Sequence, residues 1–243
     1  MIINYKTILT EKKQLTGDVY LYRFKLVEPS SLIFTPGQYL ILFVPKEKSD
    51  PVRRLYSIAS ANTLTNEFEL LIKLIPNGCA STYLKILTIE NEVRFQGPAG
   101  MFTLRESPRG KIALVTGTGF APLRSMFLSQ LLTAEFTLFL GVPTYKDVFL
   151  FEELKSFTFH APRFTFYICL SREQNLNMVP DEDKKYFLLG RVTNGFEQKF
   201  QVSNFRFQDF DFYLCSAREI VESLKQYLFQ KGALKEQVYF EKF

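Results

Sequence analysis

The sequence predicts a β + α/β chain: an antiparallel β-barrel followed by a Rossmann-like α/β domain. Three observations predict it. Apolar residues in the first part recur at period two, the period of a half-buried strand. Pro/Gly turn signals such as TPGQ and QGPAG bound short strands there, as in an antiparallel sheet or barrel. After residue 107, short apolar runs alternate with segments of helical period, the order of an open α/β sheet.

Between residues 18 and 27, Tyr20, Tyr22, Phe24 and Leu26 alternate with Leu21, Arg23 and Lys25, and Phe68, Leu70, Ile72 and Leu74 repeat the pattern. Both segments read as half-buried strands. Residues 39 to 44 and 93 to 95 read as further short strands, and residues 81 to 87 as a helix. The boundary is placed after residue 106, giving domains 1–106 and 107–243. Strand-like IALVT then leads through the loop GTGFAP into an amphipathic helix over residues 123 to 132. FTLFLG precedes a helical DVFLFEELKSF, FTFYICL reads as a third buried strand, and DFYLC precedes AREIVESLKQYLFQ. In that last helix Ile220, Leu224, Tyr227 and Leu228 fall on one face.

A hydrophobic content of 47% in 243 residues is enough to fill a real core. The opening residues lack the pattern of a signal peptide and the apolar runs are too short to span a bilayer, so the expected location is cytoplasmic. Cys79, Cys169 and Cys215 lie too far apart for a CxxC pair and are too few for a four-cysteine iron–sulfur site. The single histidine, His160, cannot supply a zinc site and reads as an ordinary loop or partly buried residue rather than a triad member, so no metal is expected. The net charge of +5 is spread along the chain, which argues against nucleic acid and suits equally an acidic partner protein, a polyanionic cofactor or a charge that only keeps the protein soluble.

Residues 117 to 122, GTGFAP, lie between a predicted strand and a predicted helix, where free backbone N–H groups can bind a pyrophosphate. In Arg54-Leu55-Tyr56-Ser57, strand alternation puts Arg54 and Tyr56 on one face and Ser57 on the other unless the strand bends. An arginine can clamp phosphate, a tyrosine can lie on a flat ring and a serine can hydrogen-bond a ring nitrogen; an edge strand with a basic outer face is the structural alternative.

The order of these motifs resembles the ferredoxin–NADP reductase family of flavoproteins, in which a flavin-binding barrel precedes a pyridine-nucleotide domain. The resemblance rests on Pro36-Gly37-Gln38-Tyr39, Arg54 to Ser57, Gly78-Cys79-Ala80-Ser81, Gly97-Pro98-Ala99-Gly100-Met101-Phe102, Gly117-Thr118-Gly119-Phe120-Ala121-Pro122 and the closing Glu241-Lys242-Phe243. It implies that Arg54 holds the flavin phosphate, Tyr56 packs on the isoalloxazine and the Ser57 hydroxyl approaches the nitrogen that accepts hydride. Gly78 and Ser81 would open a helix whose N–H groups receive the pyrophosphate of FAD. Gly117, Thr118, Gly119 and Pro122 would form the nicotinamide-cofactor pyrophosphate site. Cys215 falls where the family places a cysteine near the nicotinamide, but Ser216-Ala217 stands where Gly-Pro is usual, and a buried packing thiol is the alternative. Ser171 and Arg172 resemble a 2′-phosphate site and favour NADPH over NADH, although Pro143 replaces a further arginine. Glu241 would stabilise developing charge or relay a proton, and Phe243 would shield the flavin; a hydrophobic terminus docked in the core is its alternative.

These implications describe an NAD(P)H-dependent flavoprotein reductase in which hydride passes from NADPH, or NADH, to FAD without an acid–base dyad. With no attached iron–sulfur domain, electrons would leave to an external acceptor: ferredoxin, flavodoxin, an oxygenase component, free flavin or a ferric chelate. An acidic carrier is slightly favoured. The alternative is a non-catalytic flavin- or nucleotide-binding subunit of a larger redox complex.

Overall fold

The computed structural model describes residues 2–46, 50–129, 135–201 and 204–243. Compact units divide it differently from a single cut after residue 106: residues 1–105 join 121–130 in one, and residues 106–120 join 131–243 in the other. A helix that sequence order assigns to the second half therefore packs in the first.

The first unit is an antiparallel sheet of Ile3–Gln14 (β1), Val19–Glu28 (β2), Tyr39–Val44 (β3), Val52–Ser57 (β4), Glu67–Lys73 (β5) and Glu92–Ala99 (β6). Their order is β4-β3-β6-β1-β2-β5, and the bridge Ile58↔Leu70 joins the β4 end to β5, curling the sheet toward a barrel. Inward residues Tyr22, Phe24, Phe68, Leu70 and Phe95 are fully buried. The Phe95 ring stands edge-on to Phe24 and Phe68, with centroids 5.0 and 5.1 Å apart, a favourable aromatic geometry.

The expected strand at residues 68 to 75 is covered on both faces rather than one. In β5, Glu69 and Leu71 are as buried as the inward Phe68 and Leu70. The helix Phe120–Ser129 supplies Arg124, whose Nη1 donates to Glu69 Oε2 at 2.6 Å and to the Ala59 carbonyl at 2.8 Å. Ser125 Oγ donates to the Ser60 carbonyl at 2.7 Å, and Ser129 Oγ accepts from the Asn62 N–H at 2.9 Å. The helix is accordingly buried all round from Phe120 to Phe127 rather than amphipathic, and the expected residues 130 to 132 lie outside the described ones. The unit's other helix is Cys79–Ile86 (α1); Phe120–Ser129 is α2.

The second unit is a parallel sheet of Gly110–Thr116 (β7), Phe136–Val142 (β8), Phe164–Leu170 (β9), Phe187–Leu189 (β10), Phe210–Ser216 (β11) and Val238–Lys242 (β12), in the order β10-β9-β8-β7-β11-β12. The chain leaves β7 for β8 on one side and returns as β11 on the other, so the crevice at the carboxyl ends of β7 and β11 is a topological switch point, where α/β sheets bind ligands. Helices Phe151–His160 (α3), Val192–Phe200 (α4) and Arg218–Gln230 (α5) complete it. In α5, Val221, Leu224 and Leu228 form the buried face, whereas Ile220, expected there, is 40% exposed. No described helix is long and apolar enough to cross a membrane.

Candidate functional site

In the first unit, β4 is an edge strand paired only with β3 in the sheet order. Arg54 lies opposite Leu42 and Tyr56 opposite Leu40, while Ser57 lies opposite Tyr39. Directly opposed residues share a face, so Arg54 and Tyr56 share the face of buried Leu40 and Leu42, and Ser57 takes the other, as alternation predicts. Arg54 is exposed, with Nη1 donating to the Arg53 carbonyl at 2.8 Å. Tyr56 is half-buried against the barrel core. Burial pushes its phenol up to about 12 against the opposing pull of the nearby Arg54 charge, so it remains a neutral ring at working pH. A cation beside a neutral aromatic face is a donor set that fits a phosphate-bearing flavin.

Helix α1 begins after Gly78 with no side-chain cap, which leaves its first N–H groups for a ligand. The Ser81 hydroxyl oxygen accepts from the Ile75 N–H at 2.9 Å, which anchors it to the preceding turn and leaves its own proton available for donation. Gln38 ties two motifs together: its Nε2 donates to the Gly100 carbonyl at 3.2 Å and its carbonyl accepts from the Ile58 N–H at 2.9 Å.

In the second unit, residues 117–119 form a short 3₁₀ turn at the end of β7. Gly117 has φ +51°, and a Cβ there would meet nothing within 4 Å, an open flank suited to a phosphate. Gly119 is the opposite case, because a Cβ would lie 2.1 Å from the Cys215 carbonyl oxygen. Only glycine lets these two loops touch. Thr118 is half-buried beside them, and Pro122 sits in the first turn of α2, where a missing N–H is harmless.

Cys215 is the penultimate residue of β11 and is fully buried. Burial, followed by the charge of Glu241, pushes its thiol well above the ordinary range. Glu241 pairs with Cys215 across β11 and β12. Such a thiol stays protonated at neutral pH and is not a nucleophile. Cys169, also buried, is pushed up to about 12 by desolvation, whereas Cys79 is exposed. Iodoacetamide is therefore expected to label Cys79 alone in the folded protein, as read by peptide mass spectrometry, and labelling of Cys215 without unfolding would contradict its burial. Phe243 is 62% exposed rather than docked in the core; its N–H donates to the Ser216 carbonyl at 3.3 Å and its carbonyl accepts from the Arg218 N–H at 3.2 Å.

Ser171 and Arg172 follow β9 and are both exposed. The Arg172 N–H donates to the Pro143 carbonyl at 2.8 Å, and the Ser171 N–H donates to the Val142 carbonyl at 3.0 Å, so the β8 and β9 loops hold each other. The neighbouring Glu173 carboxylate accepts from the Tyr145 N–H at 3.2 Å.

One contact at this crevice is not evident in the sequence. The hydroxyls of Thr116 and Ser216, at the ends of β7 and β11, hydrogen-bond each other. Ser216 is legible only as the residue that replaces a glycine.

The fold and these two sets of residues define an oxidoreductase built from a flavin-binding unit and a dinucleotide-binding unit. Family models agree: an oxidoreductase FAD-binding domain matches residues 6–104 and an oxidoreductase NAD-binding domain matches residues 114–226. The chain is 31% identical over 243 residues to the toluate 1,2-dioxygenase electron transfer component of Pseudomonas putida, covering 98% of this chain and 67% of that protein. It is 27% identical to the propane 2-monooxygenase reductase component of Rhodococcus jostii, covering 100% of this chain and 64% of that one. The chain thus spans about two thirds of the length of these relatives. A ferredoxin NADP+ reductase from Neisseria gonorrhoeae, solved with bound FAD and NADP, superposes with a TM-score of 0.80 at 21% identity, covering 99% of this chain and 98% of that one. The chain belongs to the ferredoxin–NADP reductase family, flavoprotein oxidoreductases that bind FAD and NAD(P).

Proposed function

We propose that this chain takes hydride from NADPH onto FAD and passes the electrons to an external acceptor protein. The reading is carried by the 117–119 loop, an open glycine turn at the switch point of a parallel sheet, within a chain that also bears an FAD-binding domain. When bound, the flavin supplies two-electron chemistry toward nicotinamide and one-electron chemistry toward a carrier. Arg54 holds the flavin phosphate, Tyr56 covers the ring, Ser57 hydrogen-bonds it, and the N–H groups after Gly78 receive the pyrophosphate together with Ser81. Gly117, Thr118, Gly119 and Pro122 hold the nicotinamide-cofactor pyrophosphate. Cys215 gives the nicotinamide a neutral, dry neighbour, and Glu241 supplies the nearby negative charge. Exposed Phe243 lies on the Ser216 turn, in position to be displaced by an incoming ring.

NADPH is preferred because Ser171 and Arg172 stand exposed after β9, where a hydroxyl and a fixed cation suit a 2′-phosphate. The acceptor is read as an acidic ferredoxin or flavodoxin, or an oxygenase component, from the net charge of +5 and from relatives named as electron transfer and reductase components. The location is read as cytoplasmic.

The test is steady-state turnover of the FAD-loaded chain with ferricyanide as stand-in acceptor and NADPH or NADH as donor. NADPH is expected to give the higher kcat/KM. Arg172→Gln is expected to lower kcat/KM for NADPH by about 10- to 100-fold, the worth of a charge-assisted pair, and to leave NADH within about twofold. Equal losses with both donors would remove Arg172 from the 2′-phosphate site.

A further inference from the structure

The carboxyl ends of β7 and β11 carry one feature that the family pattern does not supply. Where Gly-Pro usually follows the cysteine, this chain has Ser216, and its side chain folds back to the Thr116 hydroxyl at the end of β7. The two strands are hydrogen-bonded neighbours, paired in register up to Cys215↔Val115. Three residues after Thr116, Gly119 lies against the carbonyl of Cys215, the residue before Ser216, so closely that no side chain fits between them. The glycine turn and the Cys215 turn are therefore in contact twice, once through backbone and once through two hydroxyls.

Each hydroxyl carries one proton, and one bond between them uses only one of the two. Ser216 is fully buried, and its hydroxyl bonds only to Thr116 among the described contacts. A donor left unspent in a dry site is costly, so Ser216 donates and Thr116 accepts. Thr116 is partly exposed, so its own proton has solvent as an acceptor. The Ser216 carbonyl is occupied independently by the Phe243 N–H.

We propose that Ser216 is a positioning residue for the nicotinamide end of the bound dinucleotide: its buried hydroxyl locks Thr116 and fixes the 117–119 loop against the Cys215 turn. The inference rests on the dinucleotide-reductase reading above. It separates two parts of the ligand. The adenosine end, assigned to Ser171 and Arg172 after β9, does not touch the bridge, whereas the pyrophosphate and nicotinamide end lies on the loops that the bridge joins.

The test uses the FAD-loaded full chain with Ser216→Ala, Ser216→Gly, Thr116→Val and Thr116→Ser. Flavin reduction by NADPH is followed anaerobically by stopped flow. Binding of adenosine 2′,5′-bisphosphate, which carries no nicotinamide, is measured as an inhibition constant. Losing one hydrogen bond is expected to slow flavin reduction by about three- to tenfold in Ser216→Ala, Ser216→Gly and Thr116→Val. Thr116→Ser, which keeps the hydroxyl, is expected to stay within about twofold, and the bisphosphate constant to stay unchanged in all four. Unchanged reduction in Ser216→Ala overturns the proposal. So does a parallel loss of bisphosphate binding, which would mark a general loosening of the unit. A wild-type flavin that NADPH and NADH both leave oxidised fails the underlying reading and the proposal with it; a reducible wild type with silent variants fails the proposal alone.

Discussion

Arg124→Met is expected to lower folding stability by about 3 kcal/mol, because it leaves one oxygen of a buried carboxylate without its arginine, with the solvent-screened Arg23 on the other, while preserving most of the side-chain volume. Glu69 is nearly inaccessible; Arg124 bonds one of its oxygens, and Arg23 bonds the other with Nη2 at 2.7 Å and Nε at 3.1 Å. Arg23 is more than a third exposed, so solvent takes up part of its charge, and Arg124 is the partner whose loss is felt. Urea unfolding is the measurement. Glu69→Leu with Arg124→Met together should recover most of the loss, since removing both charges leaves no stranded ion.

The same triad sets an acid limit. Burial alone would raise the Glu69 carboxyl, but Arg124 and Arg23 outweigh it and hold the group below its ordinary value. A carboxylate whose folded pKa is depressed contributes stability above its unfolded pKa, and that contribution is lost as pH falls through the folded value. Wild-type stability should therefore drop as pH falls below about 4.3, and the double variant should drop less steeply. Identical acid profiles would contradict the charged form of the triad.

Gly119→Val carries the second large effect. The new Cβ would lie 2.1 Å from the Cys215 carbonyl oxygen and 2.7 Å from its carbon, and both are backbone atoms that cannot swing aside. The 117–119 turn must move away from the end of β11. A displacement on the order of 1 Å in a positioning loop costs about 100-fold in rate, so flavin reduction by NADPH should fall by at least that factor. FAD retention should be unchanged, because Arg54, Tyr56 and Gly78 belong to the other compact unit. Loss of flavin from Gly119→Val would show that the substitution unfolds more than the loop.

What the sequence made legible was local. Strand alternation assigns Arg54, Tyr56 and Ser57 to their faces, and the neighbours of GTGFAP place Gly117 to Gly119 between strand and helix, whereas Phe120, Ala121 and Pro122 of the expected loop form the first turn of α2, which begins three residues earlier than expected. Each of those inferences needs only a few adjacent residues. The misses are long-range. β1 escaped because its core positions Tyr5, Thr7 and Leu9 include a buried threonine, and its pairing with β2 is interrupted by register shifts. β5 reads as one-sided because a glutamate in an alternating strand signals solvent, whereas Glu69 meets an arginine 55 positions away on a helix that sequence order assigns to the other half. The Thr116–Ser216 bridge joins residues 100 positions apart, and no periodicity announces it. The short β10, the polar α4 and the closing β12 lack a run long enough to read.

Hydride transfer from a nicotinamide nucleotide to the flavin is the activity proposed for this chain. The most direct measurement is an anaerobic titration of the FAD-loaded protein with NADPH, and separately with NADH, following the flavin absorption band. The expected result is bleaching that is complete near one equivalent of NADPH and needs more NADH. A band that neither nucleotide changes, in a protein that retains its flavin, would contradict the claim and favour a binding subunit of a larger redox complex.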